Sequence, residues 1–208
     1  MKIICIGRNY AAHAAELGNE RPDQPLVFMK PGSALLANNK PFYHPDFSQN
    51  IHYETELVVR IGKNGRHVEP QFALGYVEAI TVGLDLTARD LQDQLRAKGH
   101  SWEIAKAFDH SAPLATEWFA PEDFADVNDV EFGLRKNGAL VQHGHSRHML
   151  FPLTEIICYV SRFFRLQLGD LIFTGTPEGV GPLAIGDELE AFIVTRAGEQ
   201  RVLHTRVK

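Results

Sequence analysis

The stretch His52-Tyr53-Glu54-Thr55-Glu56-Leu57-Val58-Val59 constrains this chain more than any other. Side chains alternate faces along a strand, so Glu54 and Glu56 project to the same side. Two residues of strand rise separate their Cα atoms by about 6.6 Å. Leu57, Val58 and Val59 continue as an apolar run, so the strand enters a core. Two carboxylates beside a core repel each other unless a cation lies between them. A second apolar run, Ala79-Ile80-Thr81-Val82-Gly83-Leu84, ends at Asp85, a third acid at a strand end. Three carboxylates and water make a hard, all-oxygen ligand set suited to Mg²⁺, Mn²⁺ or Ca²⁺. The same spacing also fits a solvated Glu pair on an edge strand, because a single E-x-E is common.

A length of 208 residues fits one domain, 1–208, with 1–35 as a small N-terminal part. The formal charge of −5 gives no basic footprint for nucleic acid. No apolar run is long enough to span a bilayer by helix. Only residues 3–6 are apolar after Met1-Lys2, so no secretory h-region is expected at this end. Cys5 and Cys158 lack any paired spacing, lie in apolar contexts and read as reduced core thiols of a cytoplasmic protein.

Residues 3–6 read as a buried strand ending at Gly7. Asn9 as N-cap, four alanines and Gly18 as the stop predict a short helix between them. His13 and Glu16 are i, i+3 and share a face. Such a pair is either a general base with its orienting carboxylate or an ordinary surface pair. A helix this short is marginal alone and must dock on something. Lys30 closes an apolar strand and faces a pocket or solvent. Asn64-Gly65 is a hairpin signal. Thr87-Ala88-Arg89-Asp90 fits a capping box opening a helix that runs to Gly99. Arg89 and Gln92 then stand at i+4 and i+7 from Asp85, on a face that looks back to it. Lys106 is flanked by apolar residues, so it snorkels or is held in a pocket as a cation.

Residues 130–135 and 140–142 form a hairpin about Asn137-Gly138. His143-Gly144-His145-Ser146-Arg147-His148 has an H-x-H-x-x-H spacing but no helix, Cys or nearby acid, and reads as a polar loop rather than a zinc site. Residues 154–164 predict an amphipathic helix burying Ile156, Ile157, Val160, Phe163 and Phe164. Residues 174–182 are dense in turn formers. No Gly-Lys-Ser/Thr follows, so this is not a P-loop. Its backbone N–H groups and Thr hydroxyls suit a carboxylate.

Six ordered motifs carry a resemblance. They are Gly7-Arg8-Asn9-Tyr10 with His13 and Glu16, Phe28-Met29-Lys30-Pro31, Tyr53-Glu54-Thr55-Glu56-Leu57, Asp85-Leu86-Thr87-Ala88-Arg89-Asp90-Leu91-Gln92, Trp102 with Ala105-Lys106, and the run from Gly169 to Pro177. Together they resemble the fumarylacetoacetate hydrolase family, closest to its short acylpyruvase and oxaloacetate decarboxylase or tautomerase members. The resemblance implies an α+β, mainly β fold, a mixed β-sandwich roll with few helices, and a homodimer. It implies Mg²⁺ or Mn²⁺ on Glu54, Glu56 and Asp85. It makes the His13–Glu16 segment a lid, sets Lys106 and Gln92 around the reacting carbonyl, and gives Lys30, Arg89 and Thr176 to substrate contact.

The substrate so implied is a small keto acid, an acylpyruvate or oxaloacetate, cleaved through a pyruvate enolate. Isomerisation or tautomerisation of a 2-hydroxy-dienedioate or of oxaloacetate is the alternative. A keto-acid binding protein without turnover is the reading from another class. His143, His145 and His148 depart from the small polar residues expected at those positions.

Overall fold

The computed structural model describes residues 1–16, Gly18 and 20–208. Leu17, which the sequence places beside the short helix, lies outside the described residues. Strands dominate, with few helices, and they fall mainly into two sheets.

The first sheet has five strands in the order Leu26–Lys30, Ile3–Gly7, Leu171–Phe173, Thr55–Ile61 and Val77–Leu84. Ile3–Gly7 is buried along most of its length, and its one parallel pairing is with Leu171–Phe173. Buried parallel pairing of this kind requires an unbroken apolar run rather than an alternating one. The second sheet is antiparallel, in the order Ala139–His145, Glu131–Lys136, Glu188–Thr195 and Gly198–Arg206. One apolar cluster joins the two, with Leu57 and Ile80 from the first and Phe132, Leu134 and Ile193 from the second. The helix Leu153–Phe163 packs Ile156, Ile157 and Val160 into that cluster. No described helix is long and apolar enough to cross a membrane.

The Glu-bearing strand is broken where a continuous one is expected. Ile51–Tyr53 pairs with Gly181–Pro182 and Thr87–Ala88 in a small three-stranded sheet. Thr55 then enters the five-stranded sheet opposite Leu84. Glu54 sits at the crossing between the two sheets, and both Glu54 and Glu56 are buried.

Four local expectations are corrected. Asn64-Gly65 does not close a tight hairpin: Gly65 bridges Leu166, and the chain returns through the helix Pro70–Ala73 before Val77–Leu84. Thr87 caps nothing, because it is paired with His52 and its hydroxyl donates to Asp85 O, so the helix Arg89–Ala97 begins after Ala88. Asn9 is not an N-cap. Its amide donates to Phe151 O and Thr174 O, its Oδ1 accepts from Phe151 N–H, and the helix is Ala11–Glu16. Phe163 is 54% exposed and packs at a tilt against Tyr159 instead of entering the core, while Phe164 is only partly buried.

Candidate active site

A cavity of about 340 Å³ opens where the two halves of the broken strand meet the ends of Ile3–Gly7 and Val77–Leu84. Glu54, Glu56 and Asp85 line it together, and one oxygen from each lies within 4.8 Å of the others. Asp85 reaches this point because Val77–Leu84 ends one residue before it and its N–H donates to Glu54 O at 2.8 Å. Glu56 is fixed from the opposite side by Gly175 N–H at 2.8 Å. Gly175 has φ +100°, and a Cβ there would come within 2.6 Å of Asn9 Cβ, so only glycine presents that N–H without strain.

Basic side chains surround the acids. Lys106 Nζ donates to Glu54 Oε2 at 2.8 Å and to Asp85 Oδ2 at 2.6 Å. Arg89 donates to Glu54 Oε1 and to Gln92 Oε1, each at 2.5 Å. Lys30, buried at its strand end, lies 2.8 Å from Asp85 Oδ1. Its protons go elsewhere, to Lys106 O, Ser111 O and Ser111 Oγ. Asp85 Oδ1 is therefore a buried carboxylate oxygen near a cation but without an aligned hydrogen bond.

The three acids differ in how they hold charge. Burial raises the Glu54 carboxyl, but Lys106 and Arg89 outweigh it and hold Glu54 well below the ordinary range. Burial, then Asp85, then Glu54 push Glu56 well up, with only the Gly175 N–H and the more distant Lys106 opposing them. Burial lowers Lys106, and Asp85 and Glu54 more than restore it. An all-oxygen set with one orphaned oxygen and one carboxylate lacking a direct cationic partner fits a hard divalent cation.

On the far wall, His13 Nδ1 lies 3.4 Å from Glu16 Oε2, long for a hydrogen bond but within the range that tightens around a ligand. Both line the cavity, and His13 is buried. Gly179 N–H lies 3.2 Å from both Glu16 oxygens, so the short helix docks on the 174–182 loop. Thr176 is buried at the cavity wall. Glu54, Glu56, Asp85, Lys106, Arg89, Gln92, His13, Glu16 and Thr176 thus share one cavity, with Lys30 directly behind Asp85.

Several residues at the site were given no role from the sequence. Gln142 is 1% exposed; its Oε1 accepts from Thr55 N–H, and its Nε2 donates to Thr176 Oγ1 and Pro177 O, all at 2.9 Å. It clamps the acid-bearing segment to the loop that carries Thr176. A register shift between Leu140 and Gln142 marks the place, and nothing local in the sequence signals it. Gln142→Leu is expected to cost about 1–3 kcal/mol, because it orphans a buried backbone N–H. Urea unfolding checks this, and an unshifted midpoint would mean the clamp adds no stability. His52 also lines the cavity; burial, then Arg89, lower it to about 4, so it is neutral at pH 7. Arg8, at φ +56°, sits at the rim over Trp102.

Comparisons with known proteins identify relatives of the whole chain. A family model described as Fumarylacetoacetate (FAA) hydrolase C-terminal matches residues 2–206. The Bos taurus protein named Oxaloacetate tautomerase FAHD1, mitochondrial, is 41% identical over 192 residues, covering 92% of this chain and 86% of that one. The Dictyostelium discoideum Oxaloacetate decarboxylase, mitochondrial, is 42% identical over 194 residues, covering 92% and 88%. The crystal structure of fumarylpyruvate hydrolase from Pseudomonas aeruginosa in complex with Mn²⁺ and pyruvate superposes with a TM-score of 0.91 at 38% identity, covering 100% of this chain and 89% of that one.

Proposed function

The chain belongs to the fumarylacetoacetate hydrolase family, and on that footing we propose that it is a metal-dependent C–C bond hydrolase or lyase acting on acylpyruvates or oxaloacetate. The observation that carries the reading is the convergence of Glu54, Glu56 and Asp85 on one buried point in the cavity lined by His13 and Glu16. Those carboxylates would hold a divalent ion, Mg²⁺ or Mn²⁺, which would supply Lewis acidity toward a keto-acid substrate. Once Glu56 is ionised, Lys30, Lys106 and Arg89 balance the charge of the three acids. With a divalent ion bound, the site would carry two positive charges, suited to a dianionic product common to hydrolysis and decarboxylation.

The chain's own residues account for the rest. Glu16 orients His13, and His13 takes a proton from water as it attacks the distal carbonyl of an acylpyruvate. Arg89 holds Gln92 by its Oε1, which leaves the Gln92 amide protons as donors. Lys106 spends two of its three protons on Glu54 and Asp85 and keeps one. These two side chains stabilise the oxyanion formed by attack; its collapse breaks the C3–C4 bond and releases the acid and pyruvate enolate, which is then protonated at C3. Arg89 and Thr176 position the substrate, with Lys30 behind Asp85. Oxaloacetate needs no water attack, because CO₂ departs by itself.

A second reading keeps the site and changes the outcome to tautomerisation or isomerisation of oxaloacetate or a 2-hydroxy-dienedioate. The His13–Glu16 contact favours it, since a proton shuttle alone suffices for that reaction. Turnover of acylpyruvates, oxaloacetate and hydroxy-dienoates with Mg²⁺ or Mn²⁺ separates the readings by product. No metal-dependent turnover of any of them would leave only a binding protein.

The lid has its own test. Amide exchange across Ala11–Glu16 is expected to slow when oxalate, an enolpyruvate mimic, is added with Mg²⁺. Equal exchange with and without oxalate would count against a ligand-gated lid. A homodimer is supported by an apolar hollow of about 950 Å³ flanked by Met1, Phe47 and Ile104, which are 63%, 48% and 62% exposed. A solution mass of one chain by sedimentation would oppose it.

A further inference from the structure

Away from the cavity, the four-stranded sheet gathers a second set of metal-ligating side chains. His143 and His145 are two residues apart on Ala139–His145 and so point the same way. Glu131 stands directly across from His145 in the antiparallel ladder, and Gly133, without a side chain, stands across from His143. The His143 ring can therefore lean along the sheet toward Glu131, and its Nε2 lies 2.8 Å from Glu131 Oε1. One ligand atom from each of Glu131, His143 and His145 lies within 4.8 Å of the others. The polar-loop expectation rested on the absence of a nearby acid. The sheet register supplies one from 12 residues earlier in the chain.

Asp129 gives a second, independent observation. Its Oδ1 lies 3.2 Å from His145 Nδ1. A proton on Nδ1 donated to that carboxylate leaves the Nε2 lone pair free. A carboxylate behind the ring in this way is the usual outer partner of a metal-ligating histidine. The other oxygen of Asp129 accepts from Arg147 at 2.9 Å, and Arg196, which lines the same hollow, donates to Glu122 O and Phe124 O, so neither cation is left unpaired beside the cluster. His148, the third histidine of the motif, is not part of the set, because its Nε2 accepts from Arg147 Nε at 3.3 Å.

We propose that His143, His145 and Glu131 form a second metal site, for a borderline first-row ion such as Zn²⁺, with Asp129 as outer partner and solvent completing the coordination. Two imidazoles and one carboxylate suit Zn²⁺ and disfavour Mg²⁺, whereas the cavity's three carboxylates have the opposite preference. The two sites sort ions by donor chemistry. Tetrahedral Zn²⁺ with bonds near 2.1 Å sets ligand atoms about 3.4 Å apart, so rotation of the exposed His143 ring and the partly buried His145 ring suffices to close the site.

The test is calorimetric titration of tag-free protein with Zn²⁺ in saturating Mg²⁺. The intact protein should take up a Zn²⁺ equivalent that the double variant His143→Ala/His145→Ala does not. Asp129→Asn keeps all three ligands and should weaken that equivalent about 10–100-fold, the usual cost of losing an outer carboxylate. Far-UV circular dichroism of each variant confirms the fold, since these side chains lie at the surface. Identical isotherms for the intact protein and the double variant would overturn the proposal. So would Zn²⁺ uptake that Glu56→Ala removes and the double variant keeps, because the ion would then belong to the cavity.

Discussion

Glu56→Ala is expected to abolish divalent-metal binding, read with Mn²⁺, and turnover together. Losing even an outer partner of a metal ligand costs about 10–100-fold in affinity, so losing one of three carboxylates should cost at least about 100-fold. The loss should be larger here than for an exposed ligand, because nothing replaces it. Glu56 is 2% exposed, so water has poor access to the vacated position. Its carboxyl group is pushed up by burial, then by Asp85 and Glu54. A group so raised carries a proton at pH values where an ordinary carboxylate has lost it. Metal binding must displace that proton, so affinity should rise with pH until Glu56 ionises unaided. Calorimetry in two buffers of different ionisation enthalpy reads the released proton directly, and Glu56→Gln should abolish the release. The glutamine variant also keeps an acceptor for Gly175 N–H, which guards against a misfolded alanine variant. Unchanged Mn²⁺ affinity in either variant would remove Glu56 from the site.

The acids were legible because strand periodicity and apolar continuation are local signals. Glu56 begins a run that can only be core, and Asp85 ends another. The physical inference drawn from them was incomplete. Repulsion between buried carboxylates demands positive charge, and the fold supplies three basic side chains before any metal enters. Lys30 and Lys106 could not be assigned from sequence for the same reason. Whether a lysine snorkels or is held depends on what meets it from elsewhere, and Lys30 is met by a carbonyl 76 residues away. Gln142 was invisible because a polar residue in a strand looks the same whether it faces water or the backbone of Thr55. The bulge beside it decides, and bulges are set by pairing rather than by composition. The missed helix start has a similar origin. Thr87 has the chemistry of a cap, but its pairing with His52 keeps it in a strand.

The second large effect separates two chemistries within one cavity. Hydrolysis of an acylpyruvate needs a base to make hydroxide from water, and decarboxylation of oxaloacetate does not. General-base assistance contributes about 10²–10⁴-fold to rate. Glu16 lies 3.4 Å from His13 Nδ1 and is the only carboxylate hydrogen-bonded to that ring among the described residues. Glu16→Ala leaves His13 without its orienting partner, so acylpyruvate cleavage should fall by about 10²–10⁴-fold. On the proposed roles, oxaloacetate decarboxylation depends on the metal and on Arg89, Lys106 and Thr176 rather than on water activation, and should fall far less. One confounder is built into the structure. Glu16 also accepts from Gly179 N–H, so its loss loosens the short helix from the 174–182 loop. Oxalate inhibition of the same metal-saturated variant measures whether the site still closes. With oxalate affinity intact and the two rates split, Glu16 and His13 act on water. If oxalate still binds normally but both rates fall in parallel, the pair acts in a step the two reactions share, such as protonation of pyruvate enolate. That outcome would move the functional assignment toward the tautomerase reading, in which the same two side chains carry a proton and no water attacks.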